Sequence, residues 1–462
     1  MTAFREHLQT LEAADDLLGV ESNLHTVDEI TMVGYESLKH NGPAITYEDT
    51  AGTLRLASGV YAGPDQLQHH AQNPWTRIAL ALDLDRKTSY AQLLEYVNSV
   101  REMPSIVEND REPIQAETTA LELGDLGLPV PPTCESGMVT LGVLAVGAAE
   151  ETWSPVRALI RGPNKLTVSL PERLGNALDR RDKVSIALGV PCDALVAAYM
   201  PWFTGARQRE AFPTTHSYNS LPVADHHEAL VPATAEAIVD GTVLGSAPKL
   251  DGPLSGWERL IETTTVDIRL EEIRVREEST VPFATLGAPL SDDIQLAGLL
   301  EATKLHNRIN SYWGVSPIEW LLIPPEARLN LCIVSSEILY TGFEWQLANA
   351  LFTFSDSFDK VLILDTDVSS RDLGRALQDM WVKAHPSHDW IFSSSDAPRA
   401  TAPLYRQDGS TGSRLYIDAT WDARWEQEYI APRVNFEQSY PESLKEVVRD
   451  SWEEMGFDSE NL

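Results

Sequence analysis

Residues 359–389, DKVLILDTDVSSRDLGRALQDMWVKAHPSHD, carry the strongest fold signal of the chain. The apolar run in KVLILDTDV is typical of a buried strand, and the apolar spacing in SSRDLGRALQDMWVKAH is typical of an amphipathic helix. WIFSSS, which follows, predicts the next strand. A strand, a helix and a strand in succession indicate a parallel or mixed sheet covered by helices. Asp365 and Asp367 follow the first of these strands, at an edge where α/β sheets also place functional groups. We interpret them as a turn-capping pair before a helix over 369–384.

The pattern on either side of this stretch predicts three domains. Residues 291–462 continue the alternation, with a helix from Ile294 to Tyr312, the strand LNLCIVSSE and the helix FEWQLANALFTF; they form the C-terminal α/β domain. Residues 116–290 contain short strands separated by Gly, Pro and Asp, which predicts a sheet or barrel. Residues 1–115 combine a helix from Phe4 to Leu18 with hairpins in GPAITYEDTAGTLRLASGVYAGP, which predicts a mixed α+β region.

Composition excludes several classes of partner. The formal charge of −33 argues against nucleic acid, because phosphate binding needs a positive patch. No run of 18 apolar residues exists, and the first 30 residues carry acids where a signal peptide needs a basic start. We therefore expect a cytoplasmic protein without a membrane partner. Cys134, Cys192 and Cys332 are widely spaced and make disulfides and structural zinc unexpected.

Six segments, in the same order, resemble the UbiD-type decarboxylases. They are GPAITYEDTAG (42–52), ETWSPVRALI (151–160), ALGVPCDALVAAYMP (187–201), ALVPATAEAIVDG with DGPLSGW (229–257), the 359–389 stretch, and GSRLYIDAT (412–420). The resemblance implies an N-terminal α+β region, a central split β-barrel of the flavin-binding type and a C-terminal α/β domain that helps to form dimers or larger assemblies. It also implies reversible non-oxidative decarboxylation of an α,β-unsaturated or aromatic acid with prenylated FMN. The expected partners are a small-molecule carboxylic acid and a second copy of the chain.

The chain contains residue types that suit this reaction. Arg157 can hold a carboxylate, because a guanidinium is always charged and pairs bidentately with carboxylates. Glu236 and Asp240 can transfer protons, and their spacing of four places both on the same face of a strand. The resemblance implies that Arg157, Glu236 and Asp240 form the catalytic set, with Asp240 where the family often has Glu. Without the resemblance, the same residues also fit a solvated strand face and a surface ion pair.

The resemblance further implies a set of cofactor-binding residues, namely Thr152, Ser154, Pro155, Glu172, Arg173, Met200 and Pro201. In the family an Asn, a His and a Glu, with a divalent cation, bind the flavin phosphate. Thr152 stands at the Asn position and Arg173 at the His position.

The third metal position is ambiguous in this sequence. A gapless match places Gln208 there, and a two-residue shift restores Glu210, the candidate metal ligand. Because the ligands are altered, binding of Mn²⁺ and K⁺ stays open. Arg173, Arg207 or Arg209 would hold a phosphate without a metal ion.

Two alternatives remain open at this point. The altered metal positions also fit a diverged relative that has lost prenylated FMN and either catalyses another reaction or serves as a noncatalytic subunit. Separately, DHHE (225–228) contains adjacent histidines, but neighbours in a strand face opposite sides and do not readily share a metal.

Overall fold

The structure of the 462-residue chain is a computed structural model. The described residues are 3–21, 24, 27–48, 50, 52–67, 72–99, 117–119, 122–147, 152–204, 223–227, 229–250, 256–393, 397–398, 411–421 and 440–456.

The N-terminal region combines helices with a small sheet. Its elements are α1 (Phe4–Ala13), β1 (Leu17–Val20), α2 (Val27–Lys39), β2 (Ala44–Tyr47), β3 (Arg55–Ser58), α3 (Thr76–Ala81) and α4 (Tyr90–Ser99). The first helix is shorter than predicted, because Asp15 takes a left-handed φ of 56° and Leu17 and Leu18 enter β1 instead. β1 and β3 flank β2, and a strand at Thr280–Phe283 completes the sheet beside β3. A segment from the middle of the chain therefore closes the N-terminal sheet.

The middle of the chain is a strand-rich region that contains the largest sheet among the described residues. Its elements are β4 (Glu117–Thr119), β5 (Met138–Val139), β6 (Val143–Val146), β7 (Thr152–Pro155), β8 (Arg157–Gly162), β9 (Lys165–Pro171), α5 (Glu172–Ala177), β10 (Lys183–Leu188), α6 (Cys192–Thr204), β11 (Val223–His226), β12 (Ala229–Pro232), β13 (Ala237–Ser246), β14 (Thr263–Val275) and β15 (Thr280–Phe283).

This sheet curls into a half-barrel. Its order is β5-β8-β9-β14-β13-β10-β6-β7, with β4 on β14, and its paired strands are antiparallel. Only Val156 separates β7, at one end of this order, from β8, near the other end. The two ends of the sheet must therefore lie close together, which confirms the barrel-like architecture.

The barrel sheet has two apolar faces. Leu144, Ile186 and Val239 belong to one hydrophobic cluster, together with other residues of the barrel interior. Val143, Ala187 and Ile238, their alternate neighbours along the same strands, belong to a second cluster that includes residues of α6. α6 packs against β6 and β7, so it covers this second face, which we call the outer face.

The C-terminal region is an α/β domain. Its elements are α7 (Asp292–Tyr312), β16 (Ile318–Leu322), β17 (Leu331–Ser336), α8 (Phe343–Phe354), β18 (Lys360–Leu364), α9 (Leu373–Lys383), β19 (Trp390–Phe392), β20 (Ala397–Pro398), β21 (Thr411–Gly412), β22 (Leu415–Ala419) and α10 (Glu442–Asp450). The sheet order is β16-β17-β18-β22-β19. β17, β18 and β22 are parallel, while the two edge strands are antiparallel, so the predicted mixed sheet is confirmed.

The capping prediction in this domain is wrong. α9 begins at Leu373, and Asp372 caps it by accepting a hydrogen bond from the backbone N–H of Arg375 at 2.7 Å. Asp365 instead pairs with the buried ammonium of Lys383. Asp367 lies 3.5 Å from the Arg375 guanidinium. Both acids contact cations of α9 rather than its backbone.

Candidate active site

The three predicted catalytic side chains project from the outer face of the barrel. Backbone pairing aligns two rows across β13, β10, β6 and β7, namely Asp240–Ser185–Ala145–Trp153 and Ile238–Ala187–Val143–Pro155. Alternation along the strands places Asp240 on the face of Ile238, and Arg157 lies two residues beyond Pro155. Each row spans three strand spacings, about 14 Å.

Arg157 is buried at the edge of this face and is held by neighbours from other regions. Its side chain is 0% exposed, and its Nη1 donates to the Thr140 carbonyl. Its Nη2 donates to Asp293 Oδ2 at 3.2 Å, while an oxygen of Glu258 lies 3.8 Å from Nε. The guanidinium lies 5.7 Å from the Trp257 ring centroid. Asp293 stands in the first turn of α7, so the C-terminal domain fixes the orientation of this arginine.

Two buried donors at this point lack a hydrogen-bond acceptor among the described residues. They are Arg157 Nε, which has an oxygen of Glu258 3.8 Å away, and Trp257 Nε1. Tyr199 of α6 packs edge-on against Trp257, with 6.1 Å between ring centroids, and burial raises the pKa of its phenol well above the ordinary value. Unsatisfied buried N–H groups are costly, so this corner is suited to an anionic or carbonyl-bearing ligand.

Glu236 is buried and paired with the N-terminal helix. It is 1% exposed, and Arg5 of α1 donates to both of its oxygens, at 2.9 Å from Nε and 2.6 Å from Nη2. The hydrogen bond to Glu236 raises the pKa of the Arg5 guanidinium. Gly189 packs against Glu236 and has a left-handed φ of 60°. A Cβ there would stand 2.6 Å from that of Glu236, so the glycine makes room for the glutamate.

Asp240 is fully buried, and both of its oxygens have a hydrogen-bond partner. Ser185 Oγ donates to Oδ1 at 2.6 Å, and His226 Nε2 lies 2.7 Å from Oδ2. His226 ends β11, and Trp153 Nε1 donates to the Leu230 carbonyl of β12 at 2.7 Å. The β11–β12 hairpin therefore crosses the outer face above the row that contains Asp240.

The burial of these residues excludes a solvated strand face and a surface ion pair, which were the alternatives open from sequence. Among the described residues, the direct contacts of the three side chains are with other groups and not with one another. The structure brings them to one face, each with its own partner. Sequence reasoning missed those partners, Arg5, Asp293 and His226. Only the histidine carried a signal, in DHHE, and its carboxylate partner is 14 residues away.

The predicted cofactor-binding residues occupy several positions. Thr152, Ser154 and Pro155 lie on β7, and Met200 and Pro201 lie on α6, which packs against that strand. Ser154 pairs with Leu144, so its buried side chain belongs to the barrel interior, and its hydroxyl donates to the Pro155 carbonyl at 3.0 Å. Only its backbone is available to a ligand on the outer face. Met200 is buried against that face.

The predicted phosphate and metal positions do not form a metal site within the described residues. Glu172 and Arg173 are exposed on α5, at the end of β9. Glu210, Gln208, Arg207 and Arg209 lie outside the described residues. No group of three His, Cys, Asp or Glu side chains with metal-binding geometry occurs in the part of the chain that is described. His226 and His227 contact different carboxylates, Asp240 and Glu271.

Comparison with known proteins identifies the family. Models of the 3-octaprenyl-4-hydroxybenzoate carboxy-lyase N-terminal, Rift-related and C-terminal domains match residues 8–97, 105–289 and 294–419. The chain belongs to the UbiD-type decarboxylase family. It is a carboxy-lyase. Within the described residues, no helix is both long and apolar enough to span a membrane.

Relatives match along nearly the whole chain. Ferulic acid decarboxylase 1 of Saccharomyces cerevisiae is 20% identical over 497 residues, which cover 98% of this chain and 98% of that protein. The open form of vanillic acid decarboxylase from Sedimentibacter hydroxybenzoicus has a TM-score of 0.76 at 15% identity, covering 98% and 99% of the two chains. An evolved dimeric form of HmfF from Pelotomaculum thermopropionicum, in complex with prFMN, has a TM-score of 0.71 at 17% identity, covering 96% and 100%. These structures share the fold.

Proposed function

We propose that this carboxy-lyase decarboxylates an α,β-unsaturated or aromatic carboxylic acid, reversibly and without net oxidation, with prenylated FMN as cofactor. The observation that carries the proposal is a buried guanidinium and two buried carboxylates on one face of the barrel sheet. A relative named for ferulic acid and a relative bound to prFMN support the substrate class and the cofactor. We further propose that the protein acts in the cytoplasm as a homodimer or higher homo-oligomer, within the predicted domains 1–115, 116–290 and 291–462.

Arg157 and Trp257 bind the substrate carboxylate in this proposal. Within the described part of the chain, neither Arg157 Nε nor Trp257 Nε1 has a hydrogen-bond acceptor, and each N–H can donate to a substrate carboxylate. Asp293 accepts a hydrogen bond from Nη2 and an oxygen of Glu258 lies 3.8 Å from Nε, so the orientation of the guanidinium is fixed. Fixing the carboxylate orients the bond to the departing carbon dioxide.

The two acids serve different purposes. Glu236, held by Arg5, supplies a buried carboxyl group on the same face of the sheet as Asp240. Asp240 delivers a proton to the carbon that loses carbon dioxide. Prenylated FMN, held by residues of β7 and α6, would supply the azomethine-ylide chemistry that activates the substrate for loss of carbon dioxide.

The residues present fit the flavin better than they fit its metal. α6 packs against β7, and these two elements would hold the flavin through Thr152, Pro155, Met200 and the Ser154 backbone. A hydroxyl at residue 152 and a guanidinium at residue 173 are a poor donor set for a hard divalent cation. We therefore assign no step to a metal ion.

The altered donors favour a second candidate function. A relative that has lost prenylated FMN, and either catalyses a different reaction or serves as a noncatalytic subunit, would no longer need the Asn and His positions now occupied by Thr152 and Arg173. This candidate predicts a protein that purifies without flavin from cells that make it.

Purification from cells that produce prenylated FMN separates the two candidates. The first predicts flavin absorbance, the cofactor mass and carbon dioxide release from cinnamate-like or hydroxybenzoate-like acids. R157A should retain flavin but lose decarboxylation by at least about 100-fold. R161A is the matched control, because Arg161 lies on the same strand, is exposed and contacts Thr167. Colourless, inactive protein would refute the first candidate.

The metal question has its own test. If flavin is bound without a divalent cation, EDTA treatment should leave the flavin content of the purified protein unchanged. If colourless protein is obtained, the double variant T152N/R173H tests loss: gain of flavin that EDTA removes would support the second candidate.

A further inference from the structure

Asp240 needs a route for proton return. In the proposed function it gives a proton to carbon in each turnover, yet it is 0% exposed. A buried acid cannot exchange its proton directly with bulk water, so a neighbouring group must carry the next proton to it.

His226 is placed for this transfer. Its Nε2 lies 2.7 Å from Asp240 Oδ2, within hydrogen-bond distance, and its side chain is 6% exposed. The other oxygen, Oδ1, accepts from Ser185, whose hydroxyl is itself fully buried. Among common side chains, an imidazole is best suited to gain and lose a proton near neutral pH.

The hairpin brings His226 towards solvent. His227, the next residue, has a side chain that is 28% exposed, and its ring centroid lies 6.1 Å from that of His226. His227 Nε2 lies 3.0 Å from Glu271 Oε2, so it is engaged elsewhere. Hydrogen bonds donated by Lys183, which has the larger effect, and by Thr242 lower the pKa of Glu271 to about 2. Glu271 is therefore a charged carboxylate. His226 thus lies between buried Asp240 and an exposed polar cluster.

We propose that His226 reprotonates Asp240 in each catalytic cycle, an inference that rests on the proposed function. The bond between carbon and the carboxylate breaks, carbon dioxide leaves, and the electron pair stays with the carbon. That carbon takes the proton from Asp240, and the resulting carboxylate takes the Nε2 proton of the imidazolium. Neutral His226 then takes a proton from water. In the carboxylation direction each transfer reverses.

His226→Gln tests proton transfer separately from orientation. The glutamine amide can donate a hydrogen bond to Asp240, but it cannot carry a proton to it. We expect kcat to fall about 100-fold, with KM within about twofold, an equal flavin content and an enlarged solvent deuterium isotope effect. Added imidazole should restore part of the rate to H226A. H227Q is the matched control and should keep the wild-type rate, because His227 contacts Glu271 and not Asp240.

The outcomes separate the two levels of the proposal. If H226Q keeps the wild-type kcat and isotope effect, His226 only positions Asp240, and the relay is refuted while the decarboxylase function stands. If wild-type protein with bound flavin decarboxylates none of the acids, both fall. If H226Q and H227Q lose rate equally, the effect belongs to the hairpin as a whole, and the relay is again refuted.

Discussion

The pairing of Arg5 with Glu236 provides the sharpest test of the site. The perturbation is Arg5→Ala, which leaves a carboxylate that is 1% exposed without its bidentate partner. Hydrogen bonds to charged groups contribute about 1.5–3 kcal/mol each, and breaking a buried ion pair costs about 3–5 kcal/mol.

The structure sets the expected magnitude below that range. The Arg5 side chain is 47% exposed, so water screens the pair and can replace the lost guanidinium. Arg276 also interacts electrostatically with Glu236, so it still partly offsets the charge of this carboxylate when Arg5 is removed. We expect R5A to lower the free energy of unfolding by about 2 kcal/mol at pH 7, and to lower kcat because Glu236 loses its fixed orientation.

Urea unfolding of wild type, R5A, E236Q and the double variant measures this pair. The double-mutant cycle should give a coupling free energy of about 1–2 kcal/mol. Arg55→Ala is the control, because Arg55 lies 3.4 Å from Glu48 and 3.6 Å from Glu278 in exposed pairs, which should contribute less than about 0.5 kcal/mol. A coupling near zero, or equal losses in R5A and R55A, would refute the reasoning.

Three further predictions concern the fold around the site. Gly189→Ala should lower the free energy of unfolding by about 2–3 kcal/mol and reduce activity, because φ is 60° and the new Cβ would lie 2.6 Å from Glu236 Cβ. Gly162→Ala is the control, because no atom lies within 4 Å of its added Cβ. Equal unfolding midpoints for the two variants would contradict this prediction. Burial raises the pKa of Glu326 to about 7 from 4.5, so its folded form binds the proton more tightly and stability falls as pH rises through that interval. Between pH 4.5 and pH 8, the free energy of unfolding of Glu326→Gln, measured by denaturant titration, should rise relative to wild type by up to about 3 kcal/mol. Parallel pH profiles of the two proteins would exclude Glu326 as the cause of the pH dependence. Asp372→Ala should cost about 1 kcal/mol through loss of the α9 cap, measured by thermal unfolding, whereas Asp372→Asn should retain most of it.

Local pattern predicted the secondary structure well where the period was strong. The strand at Lys360–Leu364 and the helix that follows it appear where the apolar spacing places them, apart from the helix start. The error at the first helix has a local cause, since apolar spacing continues through Leu17 while Asp15 turns the chain. Periodicity records which residues become buried, but it does not record where the backbone changes direction.

The composition of the site was less predictable. Alternation in EAIVD predicts a common face for Glu236 and Asp240, and in the structure the backbone of both residues pairs with the neighbouring strands. The partners of these acids could not follow from spacing, because Arg5 is 231 residues from Glu236 in sequence. The contact between Arg157 and Asp293 spans 136 residues and joins two domains.

From sequence alone follow the class of fold, the order of its segments and the residue types available for chemistry, because short-range periodicity and motif order are properties of the chain itself. Only the folded molecule decides which cation neutralises which buried acid, since burial forces each charge to find a partner among whatever groups packing brings near. In this protein Glu236 pairs with Arg5 of the first helix, and Arg157 pairs with Asp293 of the C-terminal domain. Asp240 pairs with His226 of the hairpin.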